Sequence, residues 1–366
     1  MNERSISVII PTRNRLDDLL VTLERIGRDP YPRVEVLVGD DGSDMDPRPI
    51  LAERFPRVRV VRSGKRVGPC ELRNRLAGMS SGEILVGLDD DCRFESPEAF
   101  AAIVRHFAAD PRLGLLSCRV RRPDGTLWPA HRGEPLRETT AFIACGFAVR
   151  HSAFEAVGGF DPAIFRAGEE RDLAMRLFAA GWTIRHTDDI VADHCESSAE
   201  RDHQFIHSHA LRNELLFVVR YAPASRLPLR LVRQIASHAV FCARNGWWRA
   251  LRVGLGGFMR GAPGALRRRR PVARQTWRRF LDLSRDPSAD ADATIRGGAV
   301  PGKRGTALDD RASCARPGGQ AACAAVGGRD TRIPADEAGT EDGAGHAVAT
   351  DGRTTTDRKG RLCEVG

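Results

Sequence analysis

What this sequence lacks narrows its class before anything it contains. Its nine cysteines form no CxxC pair and no regular framework, and an odd number in 366 residues argues against a secreted disulfide scaffold. A reducing cytosol is the expected setting. The opening segment, MNERSISVII, offers no apolar stretch of signal-peptide length, because Pro11 cuts its only hydrophobic run short. Elsewhere the longest apolar run is Ala141 to Val149, far below the ~20 residues that cross a bilayer, so no transmembrane helix is expected. No internal repeat is visible. What is present suits a globular protein: 42% of residues are hydrophobic, enough for a sizeable core. The formal charge of +9 points to an anionic partner, and nucleic acid, an acidic membrane surface and a phosphorylated substrate all satisfy it.

From Ser5 to about Val120, short β-branched runs alternate with amphipathic segments, the pattern of βαβ units around a parallel sheet. ISVIIP, VEVLVGD, VRVVR, EILVGLD and GLLSCRV read as strands. Between them, Leu16, Leu19, Leu20, Leu23 and Ile26 share one helical face, and CELRNRLAGMS and PEAFAAIVRHFAAD read as further helices. Strands apolar on both faces need helical cover on both sides, which makes the first half a doubly wound sheet. Residues 121–222 add a PDG turn, a strand over TTAFIACGFAV, a short helix from His151, the turn GGFD and a helix starting near Glu169. Residues 223–284 are arginine-rich and helical, and beyond about Asp286 periodicity disappears into a tail expected to be disordered. Three segments follow: 1–222, 223–284 and 285–366.

Asp40 and Asp41 end one expected strand, and Asp89, Asp90 and Asp91 end another. Carboxyl ends of parallel strands border the crevice where ligands bind, so both acidic clusters should face one cleft. Carboxylates crowded so closely repel unless a cation lies between them. Mg2+ or Mn2+, held by one or two carboxylates together with substrate phosphates, would supply that charge. In an extended segment Asp89 and Asp91 would converge while Asp90 turns away or toward a ribose. The plainer reading makes all of them strand-end turn residues that bind nothing. Lys65, Arg66, Arg73 and Asn74 lie between the clusters in sequence; Arg73 could fork onto phosphate or nucleobase oxygens, or simply belong to a charged face.

In this order, SVIIPTRNR, VLVGDDGS, ELRNRLAG, VGLDDD and GGFDPAIFRAGEERDLAMRL resemble the inverting glycosyltransferases of family 2, over about residues 5–222. The resemblance implies the GT-A nucleotide-diphospho-sugar transferase fold. It implies that Pro11, Thr12 and Arg13 line the nucleotide pocket, that Asp40 or Asp41 reads the base and ribose, and that Arg73 sits near the nucleotide. Asp89 and Asp91 match the metal-carrying positions, with Asp90 turned away or toward the ribose, and His194 from VADHCESS matches a family histidine that approaches the metal or diphosphate, or is a loop histidine satisfied locally. Glu169 and Glu170 stand where the family has Glu-Asp, whose second member is the general base. Here Glu170 departs from the usual Asp by one methylene, which leaves Glu169 and Asp172 as rivals for that role. Asp172 otherwise reads as a structural acid of a first helical turn.

The implied reaction is metal-dependent and inverting, moving a sugar from a nucleoside-diphosphate donor, UDP or dTDP type, to a glycan, glycolipid or other acceptor. The resemblance also lets Trp128, Phe142, Cys145 and Gly146 border the acceptor site, although core packing would explain the apolar ones equally well. His203 and His207 have i,i+4 spacing but no third ligand in register, and read as a solvated helix face. The basic helices, with Trp247, Trp248, Phe258 and Trp277 among arginines, suit an anionic membrane surface or a packed appendage. No nucleic-acid module surrounds them, so no nucleic acid is expected as a partner. The expected location is cytoplasmic, peripheral at the membrane face. Two rivals stand beside the transferase. A nucleotidyltransferase typically carries a glycine-rich phosphate loop after its first strand, which SVIIPTRNR lacks; a non-catalytic nucleotide-sugar-binding or scaffold protein of the same fold would tolerate loss of Glu170.

Overall fold

A computed structural model describes residues 4–128, 136–195 and 202–284. The chain begins β1 (Ile6–Thr12), α1 (Leu16–Ile26), β2 (Val34–Asp40), α2 (Arg48–Arg54), β3 (Arg59–Arg62), α3 (Pro69–Met79) and β4 (Ile84–Gly87). It continues through β5 (Cys92–Phe94), α4 (Ala99–Ala109), β6 (Leu113–Arg121), β7 (Leu127–Trp128), β8 (Leu136–Glu138), β9 (Phe147–Arg150), α5 (His151–Ala156), α6 (Glu169–Ala179) and β10 (Thr183–His194). Four helices follow: α7 (His203–Tyr221), α8 (Leu227–Asn245), α9 (Trp248–Arg267) and α10 (Arg274–Ser284).

One sheet runs in the order β3-β2-β1-β4-β9-β6-β10-β5, with β7 on β6 and β8 on β10. Strands β1 to β4 are mutually parallel, β6 is parallel to β10, and β9 enters antiparallel between β4 and β6. Period-two alternation sorts the side chains. Val8, Ile10, Val38 and Val86 face α1 and α4, while Leu85, Leu115, Phe147 and Val149 face α5, α6, α7 and α10. Helix α1 shows why its residues form a helix: Asp17 and Asp18 oppose the positive end of its dipole, Arg25 opposes the negative end, and Leu19 and Leu23 bury their side chains on the sheet.

The reading of TTAFIACGFAV as one strand needs correction, because only Phe147–Arg150 pairs in the sheet. Gly146 adopts φ +77, and a Cβ there would lie 2.7 Å from that of Ala192. The chain therefore leaves the strand path before Gly146, whose amide still donates to Gly87 and whose carbonyl accepts from Cys118, while the peptide groups of Ala144 turn to Arg73 and Glu170.

The arginine-rich helices share the core of the preceding domain. Trp277, Phe280 and Leu281 of α10 join Leu173 of α6 and Phe217 of α7 in one apolar cluster. Helix α9 meets α7 along Ala250, Gly254, Gly257, Gly261 and Ala265; a Cβ on Gly254 would lie 2.7 Å from Leu211 and 2.9 Å from the carbonyl of Ser208. No helix among the described residues is long and apolar enough to cross a membrane.

His207 is also placed differently from the solvated face expected of it. It is buried against α8, stacked on Phe241 at 4.6 Å and hydrogen-bonded to His238 at 3.2 Å, and burial, then His238, pushes it down to about 4. The i,i+4 spacing shows only which residues share a helix face. The face itself is covered by a helix that arrives later in the chain. The expected tail from residue 285, with Cys314, Cys323 and Cys363, lies outside the described residues.

Candidate active site

The parallel strands end at a common level. Thr12 pairs with Asp40 across β1 and β2, and the amide of Leu88, just past β4, donates to Ile9 of β1. Both acidic clusters thus flank the end of β1, as the topology requires. Their carboxylates then separate. Asp40 is fully buried, accepting from the amide and hydroxyl of Ser43 and approached by Arg62 at 3.4 Å. Asp41 accepts from the amides of Val67 at 2.6 Å and Gly68 at 3.1 Å, which ties the 63–68 loop to β2. Pro11 is half-buried and Arg13 is exposed at the tip of β1, next to Asn14 with φ 54.

The three aspartates do not lie in an extended segment. The chain turns at Asp90 and Asp91, with the amide of Cys92 donating to Asp89 at 3.1 Å, so alternation does not govern their directions. Asp90 and Asp91 converge on Arg15, at 3.2 and 2.7 Å, and Asp90 also accepts from Thr12 at 2.8 Å. Burial pushes Asp90 up to about 7 although Arg15 acts against it. Asp89 turns the other way and accepts from Arg73 at 2.5 Å. His194, at the end of β10, approaches Asp91 at 3.2 Å. One atom each of Asp89, Cys145 and His194 lies within 4.8 Å of the other two. Asp89 and His194 thus meet as the sequence suggested, Asp91 joins them through His194, and Cys145 is an addition.

Arg73 is 2% exposed, so it reaches the cleft only through what it holds: its guanidinium also donates to the carbonyl of Ala144 at 3.1 Å, while its Nε finds no partner among the described residues. The amide of the same Ala144 donates to Glu170 at 3.3 Å. Residue 144 therefore links Arg73 to Glu170 through its own backbone groups. Asn74 faces away and brackets the backbone of Phe160 with both ends of its amide, at 2.8 Å each.

Glu169 and Glu170 open α6 after Gly168, whose φ of +100 creates the turn, and Ala167 before it is held at φ 65. Asn213 of α7 fixes this turn by donating to the carbonyls of Arg166 and Ala167 at 2.9 and 2.7 Å. Glu169 is buried and its Oε2 has no hydrogen-bond partner among the described residues. Burial raises both acids, and the charge of Glu169 adds to the shift at Glu170, which reaches about 8. Glu170 is the more accessible of the two. Asp172 points into the protein, where it accepts from Arg176 at 2.7 Å, Arg220 at 3.0 Å and the Tyr221 hydroxyl at 2.8 Å, a complete structural role.

Phe142 is buried against Phe147 with ring centroids 5.3 Å apart, and so belongs to the core; Trp128 is half-buried on β7. Arg15 and the Ala144 peptide went unassigned in the sequence, and Cys145 was read as bordering the acceptor rather than as a neighbour of Asp89 and His194. For Arg15 a signal existed, since it stands between β1 and α1 beside the strand ends where the acids gather.

Residues 7–165 match the family model described as Glycosyl transferase family 2. The chain is 29% identical over 262 residues to an N-acetylglucosaminyl-diphospho-decaprenol L-rhamnosyltransferase of Mycobacterium tuberculosis, covering 59% of this chain and 78% of that one. It is 26% identical over 226 residues to the O-antigen biosynthesis protein RfbC of Myxococcus xanthus, covering 54% of this chain and 18% of that one. The chain spans 25% and 18% of the length of two of the curated relatives it matches. Among solved structures, a mannosyltransferase from Pyrobaculum calidifontis, in complex with GDP-Man and Mn2+, aligns over 81% of each chain with a TM-score of 0.51 and 19% identity, a likeness of fold.

Proposed function

We propose that this chain, whose residues 7–165 match glycosyltransferase family 2, is a transferase of that family with a GT-A fold and moves a sugar with inversion from a nucleoside-diphosphate donor to an acceptor hydroxyl. The observation that carries the reading is the link through Ala144, whose backbone joins a raised carboxyl, Glu170, to the Arg73–Asp89 pair at the strand ends. Glu170 receives the proton of the acceptor hydroxyl as that oxygen attacks the anomeric carbon from the face opposite the diphosphate. Arg73 keeps Asp89 aimed into the cleft, and Thr12 and Arg15 keep the Asp90–Asp91 turn in place. Asp89 and His194, with Asp91 3.2 Å from the imidazole, would hold a divalent cation, Mg2+ or Mn2+, which would supply positive charge to the leaving diphosphate. Pro11, Thr12, Arg13 and Asp41 border the nucleotide, with a UDP or dTDP donor favoured, and the fully buried Asp40 instead holds the Ser43 turn beneath them.

A thermal-shift series tests this site. A nucleoside diphosphate with Mn2+ or Mg2+ should raise the melting temperature, by the equivalent of about 2.7 kcal/mol at a hundredfold excess over Kd, and chelator should remove the shift. Asp91→Ala should lose the cation-dependent part. No shift with any nucleotide would sink the donor assignment.

For the acceptor we propose a lipid-linked glycan presented at an anionic membrane surface. Residues 223–284 contain fourteen arginines and a single acidic residue, Asp282. Leu229, Val232 and Val240 of α8 and Trp248, Val253, Met259 and Leu266 of α9 are exposed among them. Apolar side chains can enter the interface while each arginine near an anionic surface adds about 1 kcal/mol. The protein should sediment with vesicles containing phosphatidylglycerol, release in high salt, and ignore neutral vesicles. Trp248→Glu with Met259→Glu should weaken this binding. Equal binding to neutral vesicles, or none to either, would remove the membrane from the proposal.

A further inference from the structure

Three donors of different chemistry meet at the floor of the cleft: a carboxylate oxygen of Asp89, the sulfur of Cys145 and a ring nitrogen of His194, all within 4.8 Å of one another. All-oxygen sets suit Mg2+ and Mn2+, whereas thiolate and imidazole move preference toward zinc-like ions. We propose that Cys145 is a ligand in this cleft, and that Asp89, Cys145 and His194 together form a site for a zinc-class divalent cation, with a fourth position open to an oxygen of the donor. The inference rests on the cation reading of this cleft and deepens it by naming the class of ion preferred. Three protein ligands with one open position is the arrangement of catalytic rather than structural zinc.

The surrounding structure holds these donors together. Gly146, with φ +77 and Ala192 where a Cβ would go, fixes the turn that presents Cys145. Arg73 binds Asp89 at 2.5 Å and the carbonyl of Ala144 at 3.1 Å, so one guanidinium sets the spacing between the Asp89 carboxylate and the segment carrying Cys145. Asp91, 3.2 Å from His194, is then the carboxylate that orients the imidazole, a frequent companion of histidine ligands. When the cation enters, the Cys145 S–H bond breaks, its proton leaves to solvent, and the sulfur lone pair bonds the ion; no oxidation state changes.

Cobalt(II) is the probe. The full chain, stripped with chelator, should bind one equivalent with a sulfur-to-cobalt band in the near ultraviolet, the intense visible bands of a four-coordinate ion, and release of about one proton per ion. Zn2+ should displace it. Cys145→Ser and Cys145→Ala should each lose the near-ultraviolet band and bind Zn2+ at least about 10- to 100-fold more weakly, since losing even a second-shell partner costs that much. Cys92→Ser, which removes the thiol hydrogen-bonded to Cys145, should keep the band. Cobalt bound without a sulfur band, or a band that survives in both Cys145 variants, would overturn the assignment and leave the oxygen-ligated cation reading standing. No cobalt binding to the free chain would also overturn it, while the oxygen-ligated reading, in which donor phosphates complete the shell, stands or falls on the thermal-shift series with nucleotide.

Discussion

Glu170→Gln should leave nucleotide binding intact and slow sugar transfer by about 10²–10⁴-fold, the range of a lost general base. Glutamine keeps the length and the acceptor oxygen that receives the Ala144 amide, so the turn at the start of α6 should survive. What it loses is the ability to take a proton. Because burial, then the charge of Glu169, pushes Glu170 up to about 8, wild-type turnover should climb with pH from neutrality and level off above about 8. The sign for stability is opposite. A carboxyl with a raised folded-state pKa is protonated more readily in the folded protein, so stability falls as pH rises from the ordinary value of 4.5 toward about 8. Glu170→Gln should flatten that part of the stability curve while slowing turnover by that factor. Full turnover in the variant would move the base to Glu169, whose buried Oε2 has no hydrogen bond among the described residues, and a protein indifferent to the substitution in every assay would suit a scaffold.

Asp172→Ala should act on the fold rather than on chemistry, costing about 3–5 kcal/mol, the usual penalty for breaking a buried ion pair from one side. The loss leaves the guanidinium groups of Arg176 and Arg220 and the Tyr221 hydroxyl without their shared acceptor. Arg220 retains Asp161 at 2.6 Å, and Arg176 retains the carbonyls of Val157 and Gly159, which keeps the penalty from growing further. Urea unfolding followed by circular dichroism measures the effect. An unchanged midpoint would show that the network contributes little, and would reopen Asp172 as a participant in catalysis.

The strands were legible because β-branched runs ending in Asp have few alternatives, and α1 because five apolar residues fell on one face. Residues 139–146 were misread for a physical reason. Their apolar side chains imitate a strand, but the peptide groups of Ala144 serve Arg73 and Glu170, and only Gly146 hinted at the departure. The aspartate triplet was located correctly and oriented wrongly, since the alternation rule applies to extended chain and these residues form a turn. Partners contributed from far along the sequence stayed invisible: His238 for His207, Cys145 for Asp89, and Tyr221 and Arg220 for Asp172. Local pattern reports which residues gather at an edge; pairing across the fold decides what each then touches.

Arg15 gives the acidic turn a resident counter-ion. Two buried carboxylates that would otherwise repel are already balanced by a side chain from the adjoining loop, with Thr12 completing the arrangement. The acidic turn is therefore neutralised by the chain itself, and its folding does not wait on an ion. On the proposed reading, taking up a cation belongs to the working cycle rather than to biogenesis.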